Sequence, residues 1–236
     1  MYYWNKDNFE GLLQVAGALE SVPQLAPLAE YCRLRERGLR KQAFAALRKF
    51  LSDAKTWVPE HARERVVTIV ELHARIPKAH TFMSNPLWEQ LVLPVLETWV
   101  RECPADIIPM RWLGLLKRNT EYLRSALAIL PEDIPVRRKL VDLALADVEF
   151  ATHHLDETVF LGSVDDAAAA LREAGEWLNA ATPVEMFADL RQNFEHLNQV
   201  LLDWKAYQAA PDGSFPQWCR SKGRSYHWGN KFYYDA

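Results

Sequence analysis

Helix-length amphipathic runs follow one another along this chain, each closed by Gly, Pro or Asn before the next begins. Residues 23–37 form one run, Gly38 breaks it, and 39–54 form another. The arrangement recurs over 108–117 and 120–130, on either side of Arg118-Asn119. One helix with a single apolar stripe cannot bury that stripe alone, so consecutive helices must stack on each other. The expected fold is therefore all-α: antiparallel helix pairs stacked as an irregular array or a helical bundle. Nothing reads as a sheet. No alternating β-branched run is bounded by an Asn-Gly or Asp-Gly turn, and 158–162 is a short apolar connector.

Proline and capping residues place the helices. Asp7 reads as the first N-cap, and Pro59 as the first helical residue of a run over 59–76. Asn85-Pro86 opens the next helix, in which Pro94 predicts a kink or a break. A long helix is expected over 134–154. Ser163-Val-Asp-Asp166 is a weak capping box. Thr182-Pro-Val-Glu185 is the better one, with Pro at N1 and Glu at N3. The helix it opens carries Met186, Phe187, Leu190, Phe194, Leu197, Val200, Leu201 and Trp204 at steps of three and four, a continuous apolar face. The chain divides on this reading into helical parts over 1–104 and 105–210 and an aromatic, basic tail over 211–236, within one continuous structural domain.

Composition removes several function classes. A net charge of −3 argues against a protein built to coat nucleic acid, although a local basic patch remains compatible with it. The N-terminus lacks the basic and apolar regions of a signal peptide. The longest apolar stretch, 87–100, is interrupted by Glu89, Gln90, Pro94 and Glu97, so no membrane span is expected. Cys32, Cys103 and Cys219 are widely spaced and form no CxxC. They point to reduced cytoplasmic thiols, the first two buried as small apolar residues, rather than to disulfides or a thiolate zinc site.

Two places carry a family likeness. In 31–51, Gly38 stands at the turn between paired helices, and Ala43 and Leu47 occupy small and large packing positions after it. In 126–133, Ala-Leu-Ala-Ile-Leu-Pro-Glu-Asp, the ending resembles an Ala-Leu-x-Leu-x-Pro close, with Pro131 starting the next unit. These features resemble tetratricopeptide repeats over about a third of the chain, although no fixed period recurs. The resemblance implies a right-handed stack of helix pairs with a concave binding groove and no chemistry of its own.

Charge is unevenly spread. Arg33, Arg35, Arg37, Arg40, Lys41, Arg48 and Lys49 crowd one region, relieved by Glu36. Farther on, Asp142, Asp147, Glu149, Asp156, Glu157, Asp165, Asp166, Glu173 and Glu176 span a segment with a single basic residue, Arg172. Clustered carboxylates can steer a basic partner. They also suit ordinary solvated helices, and Asp165 and Asp166 fit a helix N-terminus.

Candidate chemistry is sparse. His153, His154, Asp156 and Glu157 are the densest group of potential metal ligands, but adjacent histidines on a helix point about 100° apart, and neither HExxH nor Glu-x-x-His occurs. There is no Gly-x-Ser-x-Gly elbow and no glycine-rich phosphate loop. No cofactor, metal or catalytic residue is expected.

The tail from Gly213 interleaves Phe215, Trp218, Tyr226, Trp228, Phe232, Tyr233 and Tyr234 with Arg220, Lys222, Arg224 and Lys231. Such a pattern can stack bases, form an interaction hot spot, or fold back on the body, against Tyr2, Tyr3 and Trp4 among others. Solvated, it would be an aggregation liability, so docking on the body is expected. The sequence thus points to a non-catalytic protein-binding module, in its sharper form an immunity protein that neutralises a basic bacterial toxin or effector. The expected partner-binding residues are Asp156, Glu157, Asp165, Asp166, Glu173, Trp218, Arg220, Arg224, Tyr226 and Trp228. The rival reading is a nucleic-acid- or ligand-binding regulator using the Arg33 to Lys49 cluster or the tail.

Overall fold

The computed structural model describes residues 7–76 and 78–226, apart from the side chains of Asp7, Asn8 and Glu10. The side chain of the expected cap Asp7 and the tail aromatics Trp228, Phe232, Tyr233 and Tyr234 lie outside that description, as do Tyr2, Tyr3 and Trp4. Among the described residues every regular element is helical. Two compact units divide the chain, one ending at Leu113 and the other beginning at Gly114.

The first unit contains α1 (Asp7–Glu20), α2 (Ala26–Glu36), α3 (Arg40–Ala54), α4 (Pro59–Arg75), α5 (Asn85–Leu87), α6 (Leu93–Glu102) and most of α7 (Ile107–Lys117). Successive helices pack as pairs, α1 on α2 and α2 on α3. Gly38 closes α2 with φ 74°. The Leu39 N–H reaches the Leu34 carbonyl and the Gly38 N–H reaches that of Arg35, the bond pattern that lets a left-handed residue end a helix. The buried side chains include Leu12, Leu28, Tyr31, Phe50, Ile69 and Phe82. Backbones approach closely at Gly11, where an added Cβ would lie 2.6 Å from the backbone of Lys78 and Ala79.

Pro94 acts one turn earlier than expected. A π-helical turn, Trp88–Val92, joins α5 to α6, and the Leu93 N–H donates to the Trp88 carbonyl. Pro94 has no N–H, and its ring would press on the carbonyl four residues back. The wider turn moves that carbonyl aside without ending the helix.

The second unit contains α8 (Thr120–Ile129), α9 (Ile134–Thr152), α10 (Val164–Asn179), α11 (Ala188–Ala209) and α12 (Phe215–Ser221). Arg118 takes φ 54° at the end of α7, and Asn119 then caps α8 by accepting from the Tyr122 N–H at 3.0 Å. Asp133 does the same for α9 through Val136. Helices α9, α10 and α11 surround a core of Val141, Leu145, Val148, Leu171, Phe187 and Leu197, among others.

The ranking of the two capping boxes is reversed. Ser163 accepts from the N–H groups of Asp165 and Asp166 at 3.1 and 3.3 Å and opens α10. Thr182 opens nothing. The Thr182–Pro183 peptide is cis, Pro183 is extended, and a 3-10 turn, Val184–Phe187, precedes α11. That turn buries Phe187 but leaves Met186 48% exposed, so the apolar face of α11 does not begin at Met186.

The tail docks through 215–226, as expected. Phe215, Trp218 and Cys219 pack with Leu155, Val200, Trp204 and Tyr207, and the Trp204 and Phe215 rings meet edge to face at 5.2 Å. Tyr207 donates from its hydroxyl to the Gly213 carbonyl at 2.9 Å. The first N–H of α12, at Phe215, donates to Thr158 Oγ1 at 3.0 Å. Thr158 has φ 64°, an uncommon conformation for a β-branched residue, and the bond to the tail helps hold it there. The cysteine expectation needs correction. Cys103 is half-buried, whereas Cys219 joins Cys32 among the buried residues, because α12 turns it into the aromatic cluster.

Candidate interaction surface

The acidic residues of the second unit gather at the corner between α9 and α10. Helix α9 ends at Thr152, whose hydroxyl donates to the Val148 carbonyl at 2.8 Å. A 3-10 turn, Leu155–Glu157, carries Asp156 and Glu157, with Leu155 buried beneath them. The Leu161 N–H then donates to the Ala151 carbonyl at 2.9 Å, which folds the connector back on the end of α9. Two residues later Ser163 caps α10, and Asp165 and Asp166 stand exposed in its first turn, where a helix N-terminus favours negative charge. All four carboxylates thus stand on the connector that leaves α9 and the first turn of α10.

Apolar groups are exposed at the same corner. Phe150, one residue before Ala151, is 66% exposed, and Val159 on the connector is 44% exposed. The His153 ring lies 5.5 Å from that of Phe150 and 4.0 Å from that of His154. His153 is held by its own helix, since Nδ1 sits 2.6 Å from the Phe150 carbonyl. The ligand-type atoms of His154, Asp156 and Glu157 come within 4.8 Å of one another. His153 is not part of that set, and because both histidines follow the end of α9 at Thr152 their rings meet rather than diverge as adjacent helical histidines would.

The remaining sequence-predicted residues are distributed differently. Glu173 is engaged within the unit, accepting from Arg124 Nη2 at 2.6 Å and Trp177 Nε1 at 3.2 Å. Arg124 holds its carboxyl below the usual range, with burial opposing and Trp177 assisting. Trp218 lies in the aromatic cluster, and among the described residues of the tail set Arg220 stands exposed without a ring or carboxylate against it. Arg224 and Tyr226 converge on Asp203 of α11, the first as an ion pair and the second through its hydroxyl. Asp203 is 1% exposed and also accepts from Gln199 Nε2 at 3.2 Å. Burial pushes the Tyr226 phenol up, Cys219 adds to the rise, and Arg224 pulls back. Sequence reasoning passed over Asp203. Its one legible signal was an acidic residue set among Val200, Leu201 and Trp204 on a buried helical face.

The basic cluster of the first unit is partly consumed by its own fold. Arg33 pairs with Glu20, and Arg35 and Arg40 lie over the Phe44 ring at 5.4 and 5.8 Å. Arg37, Lys41, Arg48 and Lys49 are exposed. Among the described residues, no helix is long and apolar enough to cross a membrane. Comparison with protein-family models, with curated proteins and with solved structures gives no match.

Proposed function

We propose that this chain is a non-catalytic, cytoplasmic protein-binding module of the immunity-protein kind, which holds a basic toxin or effector against the corner between α9 and α10. Helix pairs stacked in the manner of tetratricopeptide repeats form the scaffold in this reading. The observation that carries it is Phe150, an aromatic ring 66% exposed, linked through the His153 and His154 rings to Glu157 and followed along the chain by Asp156, Asp165 and Asp166. Interfaces draw most of their affinity from a few large side chains that become dry on binding, while surrounding charges steer encounter and exclude wrong partners. Phe150 and Val159 have the first character, and the four carboxylates the second. The tail residues Trp218, Arg224 and Tyr226 serve the unit's own packing, so they support the scaffold and leave the corner as the contact surface.

The test is co-purification with the product of the neighbouring reading frame, followed by affinity measurement over a salt series. Phe150→Ala should weaken binding about thirtyfold, as loss of a hot-spot ring does. Replacing Asp156, Glu157, Asp165 and Asp166 together by their amides should weaken it about tenfold and flatten the salt dependence. Equal affinity in both variants would remove this corner as the surface. A mobility shift on mixed RNA and DNA at low salt would instead favour the exposed basic residues of α3.

A further inference from the structure

Helices α10 and α11 leave a trough on the second unit, its Ala168 end one helical turn from Asp165. Its volume is about 240 Å³, with Leu171, Phe194, Leu201 and Leu202 as floor and walls. The trough follows from side-chain size along α10. At Gly175 a Cβ would sit 3.3 Å from Phe194 Cζ, so the ring lies close over the helix at that end. Two turns away Ala168 is too short to fill the space opposite Leu202 and Lys205. Positions 168, 171, 172 and 175 of α10 and 194, 198, 201, 202 and 205 of α11 recur at steps of three and four, so the trough runs along both helices.

The charge at its rim is opposite to that of the surrounding segment. Arg172, the one basic residue between Asp142 and Glu176, lines the trough together with Lys205. Both are exposed, and among the described residues neither makes an ion pair or a hydrogen bond. The arginines placed between helices are engaged: Arg124 with Glu173, Arg138 with Asp189, Arg224 with Asp203, and Arg137 and Arg191 with main-chain carbonyls. In an acid-rich unit, two cations without carboxylates beside an apolar floor match an incoming acidic ligand. The floor is small. Pockets for whole small molecules run to about 300–1,000 Å³, so this trough suits one or two apolar side chains presented by a longer partner.

We propose that the α10–α11 trough is a docking site for an acidic amphipathic helix of a partner protein. The apolar stripe of that helix enters between Leu171 and Leu202, and its flanking carboxylates pair with Arg172 and Lys205. Such helix-in-groove binding relies on apolar anchors at helical spacing for affinity and on rim charges for orientation. Asn198, exposed on the same wall, offers a further polar contact to the incoming helix. The trough is tested through Arg172, Lys205 and Ala168 and the acidic corner through Phe150 and its carboxylates, so the two proposals can succeed or fail separately.

Display selection of random helical peptides against the full chain tests the proposal. Enriched peptides should combine Asp or Glu with a leucine or phenylalanine stripe. One of them, fluorescently labelled, should bind at least about tenfold more weakly to the Arg172→Glu, Lys205→Glu double variant. It should also bind more weakly to Ala168→Leu, which fills the floor and keeps both charges. Circular dichroism of each variant matching the parent establishes that the fold is kept, and either variant alone suffices if the other fails. Absence of acidic, apolar peptides from the selection would overturn the proposal, as would a selected peptide indifferent to both variants. A parent dimer that these variants dissolve would assign the trough to a second copy and overturn it equally.

Discussion

The two units hold their arginines in different ways. In the first, guanidinium groups lie on rings: Arg65 over Trp57 at 4.4 Å, Arg111 over Trp112 at 4.8 Å, Arg63 over Trp99 at 5.5 Å, and Arg35 and Arg40 over Phe44. Ion pairs occur there as well, Arg33 with Glu20 and Glu30 and Arg63 with Glu102. In the second unit Arg137 and Arg138 also pass near rings, but carboxylates and carbonyls from other helices receive the charge: Glu173, Asp189, Asp203 and the main chain of Trp177. A stacked guanidinium covers apolar surface while keeping much of its hydration, and it tolerates small shifts. A guanidinium on a carboxylate of another helix fixes register, at the risk of a buried charge left without its partner.

That contrast can be broken most sharply at Asp203. Arg224→Ala would leave a carboxylate that is 1% exposed facing Tyr226 and Gln199 only. Asp203 is buried but the Arg224 side chain is 45% exposed, so solvent screens the pair and its loss costs about 1 kcal/mol, part of which these two donors offset. Amide hydrogen exchange should rise over Phe215–Ser221 and the facing part of α11, while the first unit keeps its protection. Unchanged exchange in α12 would mean that the aromatic cluster alone holds the tail.

The first unit is most exposed to a steric test. Gly11→Ala improves helix propensity by up to about 1 kcal/mol, but the new Cβ meets the backbone of Lys78 and Ala79 at 2.6 Å. Overpacking of this kind costs about 1–3 kcal/mol. Exchange should increase in α1 and around residues 78–82, and protection equal to the parent's would show that the segment yields freely.

The smallest effect is in acid, and there the units separate by pH window. His73 in the first unit has its pKa lowered, by burial first and by His80 second. Above the ordinary value of 6.5 both folded and unfolded forms are neutral. Below it the unfolded chain takes up the proton first, so the first unit loses stability as pH falls from that point. In the second unit the hydrogen bond from Arg138 brings Asp189 down to about 2, so its contribution is complete above the ordinary carboxylate value of 3.8 and is lost as pH falls through 2. Protection in α4, corrected for the intrinsic slowing of exchange in acid, should therefore fall in mild acid while that of α11 holds. The same measurement on His73→Phe should show a flatter response, and an unaltered slope would count against His73 as its source.

Helices and breaks were legible where one residue acts on its own neighbours. Gly38, Pro59, Asn119 and Ser163 work through bonds spanning a few residues, and the sequence carried them. It misled at Thr182, where the local pattern of a capping box competed with a turn that buries Phe187. It was silent at Ser214, whose N–H donates to Gln217 Oε1 at 3.0 Å to open α12, because so short a helix leaves no periodic pattern to notice. At the corner, the four carboxylates were legible as charge. Phe150 was not, because a lone phenylalanine in an apolar run reads as core. Asp203 escaped for the converse reason, since its partners Arg224 and Tyr226 come from a later element.

The placement of the thiols has a practical outcome. Cys32 is wholly enclosed, and burial pushes it up to about 12, while burial also raises Cys219, with Arg220 pulling back. An alkylating reagent consumes thiolate, and the intact fold offers almost none at either position. Each sulfur becomes reactive only while the helices around it are parted, so the two act as clocks for separate opening events, one in each half of the chain. With Cys103 changed to serine, a time course of mass increments reads both clocks from a single sample.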